Sequence, residues 1–238
     1  MMKIALASAK VVDKDISFNI TQMDRFMQEA KAQKAELVCF GESFLQGFNA
    51  LVWDFEEDKN MAVSTDSSVF EAICGLSRKH EIDVLFGYIE REGEILYSSC
   101  ALIGDGKLCQ NYRRISRGWK EYWKTDDHYR EGDAVPVFEY RGKRCAIGLC
   151  GDLWDYPERF ALEQEILFWP VYCGWTEEEW YGGENESYAR QAHLCCPDTL
   201  YIDSLCDGDA FGGAFWFAEG KIKAELPFKK EGLLIIDI

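Results

Sequence analysis

The chain has 238 residues, 47% of them hydrophobic and 14% aromatic, which is enough apolar material for one sizeable core in a single domain spanning residues 1–238. Its 42 acidic and 26 basic side chains leave a net charge of −16, which argues against nucleic acid or an anionic membrane as partner. No apolar run reaches transmembrane length, and "MMKIALASAK" lacks the apolar stretch and cleavage site of a signal peptide. Ten cysteines without CxxC spacing therefore predict buried thiols in a reducing cytoplasm, and three scattered histidines (His80, His128, His193) predict no metal site.

Strand-like and helical runs alternate along the chain. "KIALASAKV" is expected to be a strand, followed by a helix in "NITQMDRFMQEAKAQKA" with Ile20, Met23, Phe26, Met27 and Ala30 on one stripe and Asn19 as N-cap. "ELVCF" predicts a buried strand, "SSVFEAICGLSRKHE" a second amphipathic helix, and "DVLFGYIE" the strand after it. "EILYSSCALIG", "DGK" and "LCQNYRR" have the pattern of a β-hairpin. In "VPVFEYRGKRCAIGLCGD" a strand turns at Arg141–Gly142 into a second apolar strand that runs to Cys150. "PERFALEQEI" is expected to be helical with Pro157 in its first turn, followed by the strand "ILFWPVYC" and a helix in "ENESYARQAHLC". "TLYIDSLC", "GGAFWFAEGKIKAEL" and "GLLIIDI" close the chain as strands. Strand-helix-strand units mixed with hairpins imply a layered α/β fold.

Two strand ends carry chemistry. In "CFGESFLQGF" a carboxylate, Glu42, follows an apolar run and stands among Phe40, Phe44 and Phe48, where it is costly unless paired or functional. In "RCAIGLCGDLWDYPE" a thiol, Cys150, stands at a strand-to-helix turn, where the positive end of a helix and nearby N–H groups favour a thiolate. If the two strands are neighbours, the carboxylate can take the thiol proton. An alternative is that Cys150 is one more buried structural thiol and Glu42 a structural carboxylate.

Taken together, "CFGESF", "NYRRIS" and "LCGDLWDYPE" resemble the nitrilase, or carbon–nitrogen hydrolase, superfamily. The resemblance covers nearly the whole chain, including "LYSSCALIGDGK", "YREGD", "FWPVY", "YARQA" and the closing "GLLIIDI". It implies a four-layer α-β-β-α sandwich that assembles as a homodimer or higher oligomer and acts without cofactor or metal. It also implies hydrolysis of a small amide, or of a nitrile or N-carbamoyl compound, with Cys150 as nucleophile and Glu42 as general base and acid.

The family's lysine is replaced. Arg114 stands at the corresponding place in "YRRIS", and a guanidinium can supply the same fixed charge with parallel donors, though it is bulkier and planar. Three readings stay open: Arg114 substitutes directly; Lys120, or next Lys124, reaches in from the loop between Arg114 and Gly132, which is longer than in typical members; or ordinary turnover is lost and the chain binds a small amide-like ligand. Glu121, seven residues after Arg114, matches a second family glutamate that orients the base, and is otherwise a solvated loop carboxylate. The Gly151 N–H is a candidate oxyanion donor, Asp152 is expected to fix the elbow through backbone N–H groups, and Glu158 to sit in a helix's first turn. Trp154 and Trp175 are expected to line an aromatic pocket, together with Trp119, Trp123, Trp169, Trp180 and Tyr181. The acidic run "TEEEWYGGENE" weakly favours neutral or cationic substrates. A thiol redox protein is disfavoured by the missing CxxC.

Overall fold

A computed structural model describes residues 2–208 and 210–238. Among the described residues, twelve strands form two six-stranded sheets. The first has the order β12 (Gly232–Asp237), β1 (Lys3–Ser8), β2 (Leu37–Cys39), β3 (Asp83–Glu92), β4 (Ile95–Gly104), β5 (Lys107–Arg113). The second has β11 (Lys221–Leu226), β10 (Ala214–Ala218), β9 (Asp198–Asp203), β8 (Ile166–Val171), β7 (Lys143–Ile147), β6 (Phe138–Tyr140). In each sheet three parallel strands, β1-β2-β3 and β7-β8-β9, are flanked by antiparallel ones.

The pleat sorts β1 between two layers. Ile4 and Leu6 face the second sheet with Leu37, Cys39 and Leu85, while Ala5 and Ala7 face the helices with Val38 and Phe40. The small outward residues let α1 (Ile16–Ala32) and α3 (Ser68–His80) lie close, burying Met23, Phe26, Met27 and Ala30 from one and Phe70, Ile73 and Cys74 from the other. On the opposite side α6 (Asn185–Cys195) buries Ala189, Ala192 and Cys195 against the second sheet. This is the expected α-β-β-α sandwich.

Two local expectations fail. α1 starts at Ile16, capped by Asp15, whose carboxylate accepts the Phe18 N–H at 2.9 Å. Asn19 lies inside the helix, fully buried. Its amide instead clamps the incoming chain, accepting from Val12 N–H (2.9 Å) and donating to the carbonyls of Val12 (2.9 Å) and Leu45 (3.1 Å). The helix expected in "PERFALEQEI" is also absent. A single turn, α4 (Asp152–Asp155), ends before Pro157, and only a 3₁₀ turn over Pro157–Arg159 follows. Gln164 explains the irregular stretch, because its buried amide donates to the carbonyls of Phe160 (2.6 Å) and Cys195 (2.9 Å), a tertiary tie that overrides helix propensity.

Sequence reading also missed α2 (Phe55–Met61). Phe55 joins Leu51, Ile89, Leu96, Trp119 and Tyr129 in a separate apolar cluster. The buried Asp58 accepts from Val52 N–H (2.8 Å), Trp53 N–H (2.9 Å) and Tyr129 O–H (2.7 Å). The long segment from Arg114 to Gly132 is thereby tied down against α2.

Candidate active site

Glu42, Arg114 and Cys150 leave the C-terminal ends of β2, β5 and β7, on two facing sheets. After β2 the chain passes through Gly41 to Glu42, whose N–H donates to the Val171 carbonyl at the end of β8 (3.2 Å), bonding one sheet to the other. The approach is tight: a Cβ at Gly87 would lie 2.5 Å from Ser43 N and 2.7 Å from the Glu42 Cα. Glu42 is only 1% exposed.

The cation that meets Glu42 is Arg114. Its Nη1 donates to Glu42 Oε1 at 2.8 Å, both side chains being buried, and Ser98 Oγ donates to the same oxygen at 3.1 Å. Arg114 Nε donates to Ser116 Oγ at 2.7 Å, which sets the plane of the guanidinium. Two glycines make room for a group larger than lysine: a Cβ at Gly151 would lie 2.7 Å from Nη2, and one at Gly118 would lie 3.1 Å from it. Burial works against this charge, but Glu42, Cys150 and Asp152 outweigh it and hold the guanidinium fully protonated. The second carboxylate oxygen, Glu42 Oε2, is buried and has no partner among the described residues.

Cys150 follows β7 by three residues, at the tip of a sharp elbow with a left-handed φ of 42°. Its N–H donates to the Pro170 carbonyl (3.0 Å), its carbonyl accepts the Trp169 Nε1–H (2.9 Å), and its thiol points to the Tyr172 carbonyl (3.7 Å). Burial, then the Glu42 charge, push the thiol up to about 12, with Arg114 acting in the opposite sense. At neutral pH the sulfur is therefore protonated and needs a base, and Glu42 is near enough for its charge to be felt.

Asp152 locks the elbow to the Arg114 segment. Its carboxylate accepts from Leu149 N–H (2.8 Å), Ile115 N–H (3.1 Å), Ser116 N–H (2.7 Å) and Tyr112 O–H (2.6 Å). The expected backbone bonds are present, and they reach further than the elbow alone. Glu158 is exposed in the 3₁₀ turn and touches none of these groups.

The remaining candidates lie apart from the hydrogen-bonded group. Lys120 Nζ pairs with Glu131 (2.8 Å) and donates to the Tyr129 carbonyl, serving the loop rather than Glu42. Lys124 is exposed, and Glu121, half-buried, makes no side-chain hydrogen bond or ion pair among the described residues. Trp175 Nε1 donates to Tyr188 Oη (3.2 Å), and Trp154 packs edge-on against the same ring at 5.0 Å. Trp169 and Trp180 are fully buried core residues, Trp119 belongs to the cluster around α2, and Trp123 is 83% exposed. Sequence reading passed over Ser98 and Ser116. The only signal for Ser98 was its place among the small residues of "YSSCAL", on a strand that must run beside an acidic group.

Residues 3–162 match the carbon-nitrogen hydrolase family. The chain belongs to that family. Among curated relatives of this family member, nitrilase 3 of Arabidopsis thaliana is 22% identical over 280 residues, covering 100% of this chain and 78% of the relative. An arylacetonitrilase of Aspergillus niger is 27% identical over 122 residues, which is 48% of this chain and 36% of that enzyme. Among solved structures, an amidase from Nesterenkonia sp. superposes with a TM-score of 0.78 at 20% identity, over 100% of this chain and 90% of that one. The glutamine-dependent NAD+ synthetase of Acinetobacter baumannii superposes with a TM-score of 0.79 at 21% identity, over 98% of this chain and 45% of the synthetase. The chain thus spans less than half of the arylacetonitrilase and of the synthetase, and the superpositions show a shared fold.

Proposed function

We propose that this carbon-nitrogen hydrolase family member cleaves the C–N bond of a small amide through a thioester on Cys150. The carrying observation is the buried 2.8 Å pair between Arg114 and Glu42 beside the Cys150 elbow, with Glu42 Oε2 left free. Glu42 takes the thiol proton as Sγ adds to the amide carbonyl carbon, and the oxyanion faces the Arg114 guanidinium and the Gly151 N–H. Glu42 then returns the proton to the departing nitrogen, the C–N bond breaks, and ammonia leaves. A water that gives its proton to Glu42 attacks the thioester carbon, and the carboxylic acid and free thiol are released. No cofactor enters the scheme.

The Nesterenkonia amidase supports the reading, since in its glutamate-to-glutamine mutant the active-site cysteine adds acrylamide and takes the acetamide moiety of fluoroacetamide. Nitriles and N-carbamoyl compounds are second-choice substrates of the same chemistry. The test is ammonia release from a panel of small amides, with the acyl-enzyme followed by intact mass. Turnover that disappears with Cys150→Ala supports the hydrolase. Tight amide binding without acylation at Cys150 instead establishes a ligand-binding relative, a reading motivated by the guanidinium already engaged on Glu42. Ten free cysteines support a reducing, cytoplasmic setting for this activity.

A further inference from the structure

Four buried oxygens near the C-terminal ends of β2 and β9, on facing sheets, lack a well-formed hydrogen bond among the described residues: Glu42 Oε2, Tyr201 Oη, Asp203 Oδ2 and Ser204 Oγ, with the Tyr201 hydroxyl lying near Asp203 and the Cys173 thiol. A buried polar atom left unpaired is costly, so a group of them calls for something polar to meet. The scheme above uses only the first.

Their placement ties them to the site. Asp203 closes β9, and its Oδ1 accepts the N–H of Cys173 at 3.3 Å. Cys173 directly follows Tyr172, whose carbonyl faces the Cys150 thiol. Ser204 leans on the other catalytic loop: a Cβ at Gly41, the residue before Glu42, would lie 2.5 Å from Ser204 Oγ. Asp203 and Ser204 therefore stand between the segments that carry the base and the nucleophile, at the carboxyl ends of the parallel strands, where ligands of open α/β sheets are bound.

We propose that Asp203 selects the substrate, its free Oδ2 hydrogen-bonding an uncharged polar group, such as a hydroxyl or a second carboxamide, on the acyl part of the amide. The inference rests on the hydrolase reading. Burial, and the charge of Glu42 after it, hold the Asp203 carboxyl well above the usual carboxylate range, against the N–H groups of Cys173 and Ser204 and the nearby Tyr201 hydroxyl. A carboxyl raised in this way takes up a proton more readily than a free one, and in its protonated form it both donates and accepts, as do the hydroxyls of Ser204 and Tyr201. That set suits an uncharged partner. A substrate carboxylate would stand beside the Glu42 charge and be repelled by it.

Amides of matched length test the assignment: butyramide, 4-hydroxybutyramide, succinamide and 4-aminobutyramide. In the wild type, kcat/KM for the hydroxyl and carboxamide compounds is expected to exceed that for butyramide by roughly tenfold or more, because a buried polar group is left unmet by the apolar analogue. Asp203→Leu should bring the ratio close to one, and Asp203→Ala reads the same ratio if the leucine variant does not fold. Asp203→Asn, which also donates and accepts, should keep most of it. A purely structural Asp203 would lower all substrates together and leave the ratio unchanged, which overturns the proposal, as does a preference for the ammonium compound. If wild-type protein releases no ammonia from any amide, the hydrolase reading fails separately. Calorimetric binding of the same four compounds then decides Asp203 alone: a tenfold preference lost in Asp203→Leu supports it, and equal binding sinks it.

Discussion

At position 114 the charge and its geometry can be separated. Arg114→Ala should lower kcat/KM at least roughly a hundredfold, the usual consequence of removing a donor that faces a developing oxyanion. Arg114→Lys should recover only part, since an ammonium restores the charge but not the Nε bond that Ser116 accepts at 2.7 Å, and it leaves unfilled the space that Gly118 and Gly151 open. Steady-state kinetics on one amide read both. Glu42→Gln makes a different prediction. The Glu42 charge helps hold the Cys150 thiol up, so removing it moves the thiol down, and Arg114, no longer paired, adds to that shift. Turnover should vanish, while the curve of iodoacetamide alkylation rate against pH moves to lower pH. A curve that stays in place would show that the Glu42 charge does not act on the sulfur. Glu42 and Cys150 were conspicuous from residue chemistry, an acid and a thiol each directly after an apolar run, whereas Arg114 stood out only through the family resemblance. Asp203 was not visible, because "YIDSL" puts it in the middle of an ordinary strand-like run and its lone oxygen exists only once β8 and β9 have paired.

The elbow is the element on which most depends. Asp152→Ala removes the acceptor of four buried donors at once and should cost about 3 kcal/mol in urea unfolding. The same change should depress turnover in whatever protein remains folded, because Ile115 and Ser116 carry the Arg114 segment. Sequence patterning located the elbow between a strand and a helix, and the hairpin turns at Asp105–Gly106 and Arg141–Gly142 are seen with positive φ at both positions. It failed where one side chain's tertiary bond outweighs the local pattern. Asn19 has the chemistry of a cap and serves as a clamp, and the helical composition of "FALEQE" yields to Gln164.

Across the whole molecule, the alternation of strands and helices was readable, but the pairing was not. β1 lies beside β12, placing Lys3 opposite Asp237, and periodicity says nothing about partners so far apart in the chain. Association is the prediction at this scale. Leu194, 61% exposed on α6, precedes Cys195, whose carbonyl accepts from Gln164, and Leu162, 41% exposed, lies two residues before Gln164; both are apolar side chains that a subunit contact would cover. We expect a homodimer by light scattering, and Leu194→Lys should shift the mass to that of a monomer. An unchanged mass would place the contact elsewhere.

The bond from Glu42 N–H to the Val171 carbonyl crosses from one sheet to the other. A chain emerging from synthesis carries its base and its cation on the first sheet, and its sulfur reaches them only when the second sheet has docked. Until then the thiol has no neighbour to take its proton, and the acid has no sulfur to serve. In the proposed mechanism, half-made or half-unfolded copies should be chemically silent, and the onset of hydrolysis during refolding should then mark the closing of the sandwich.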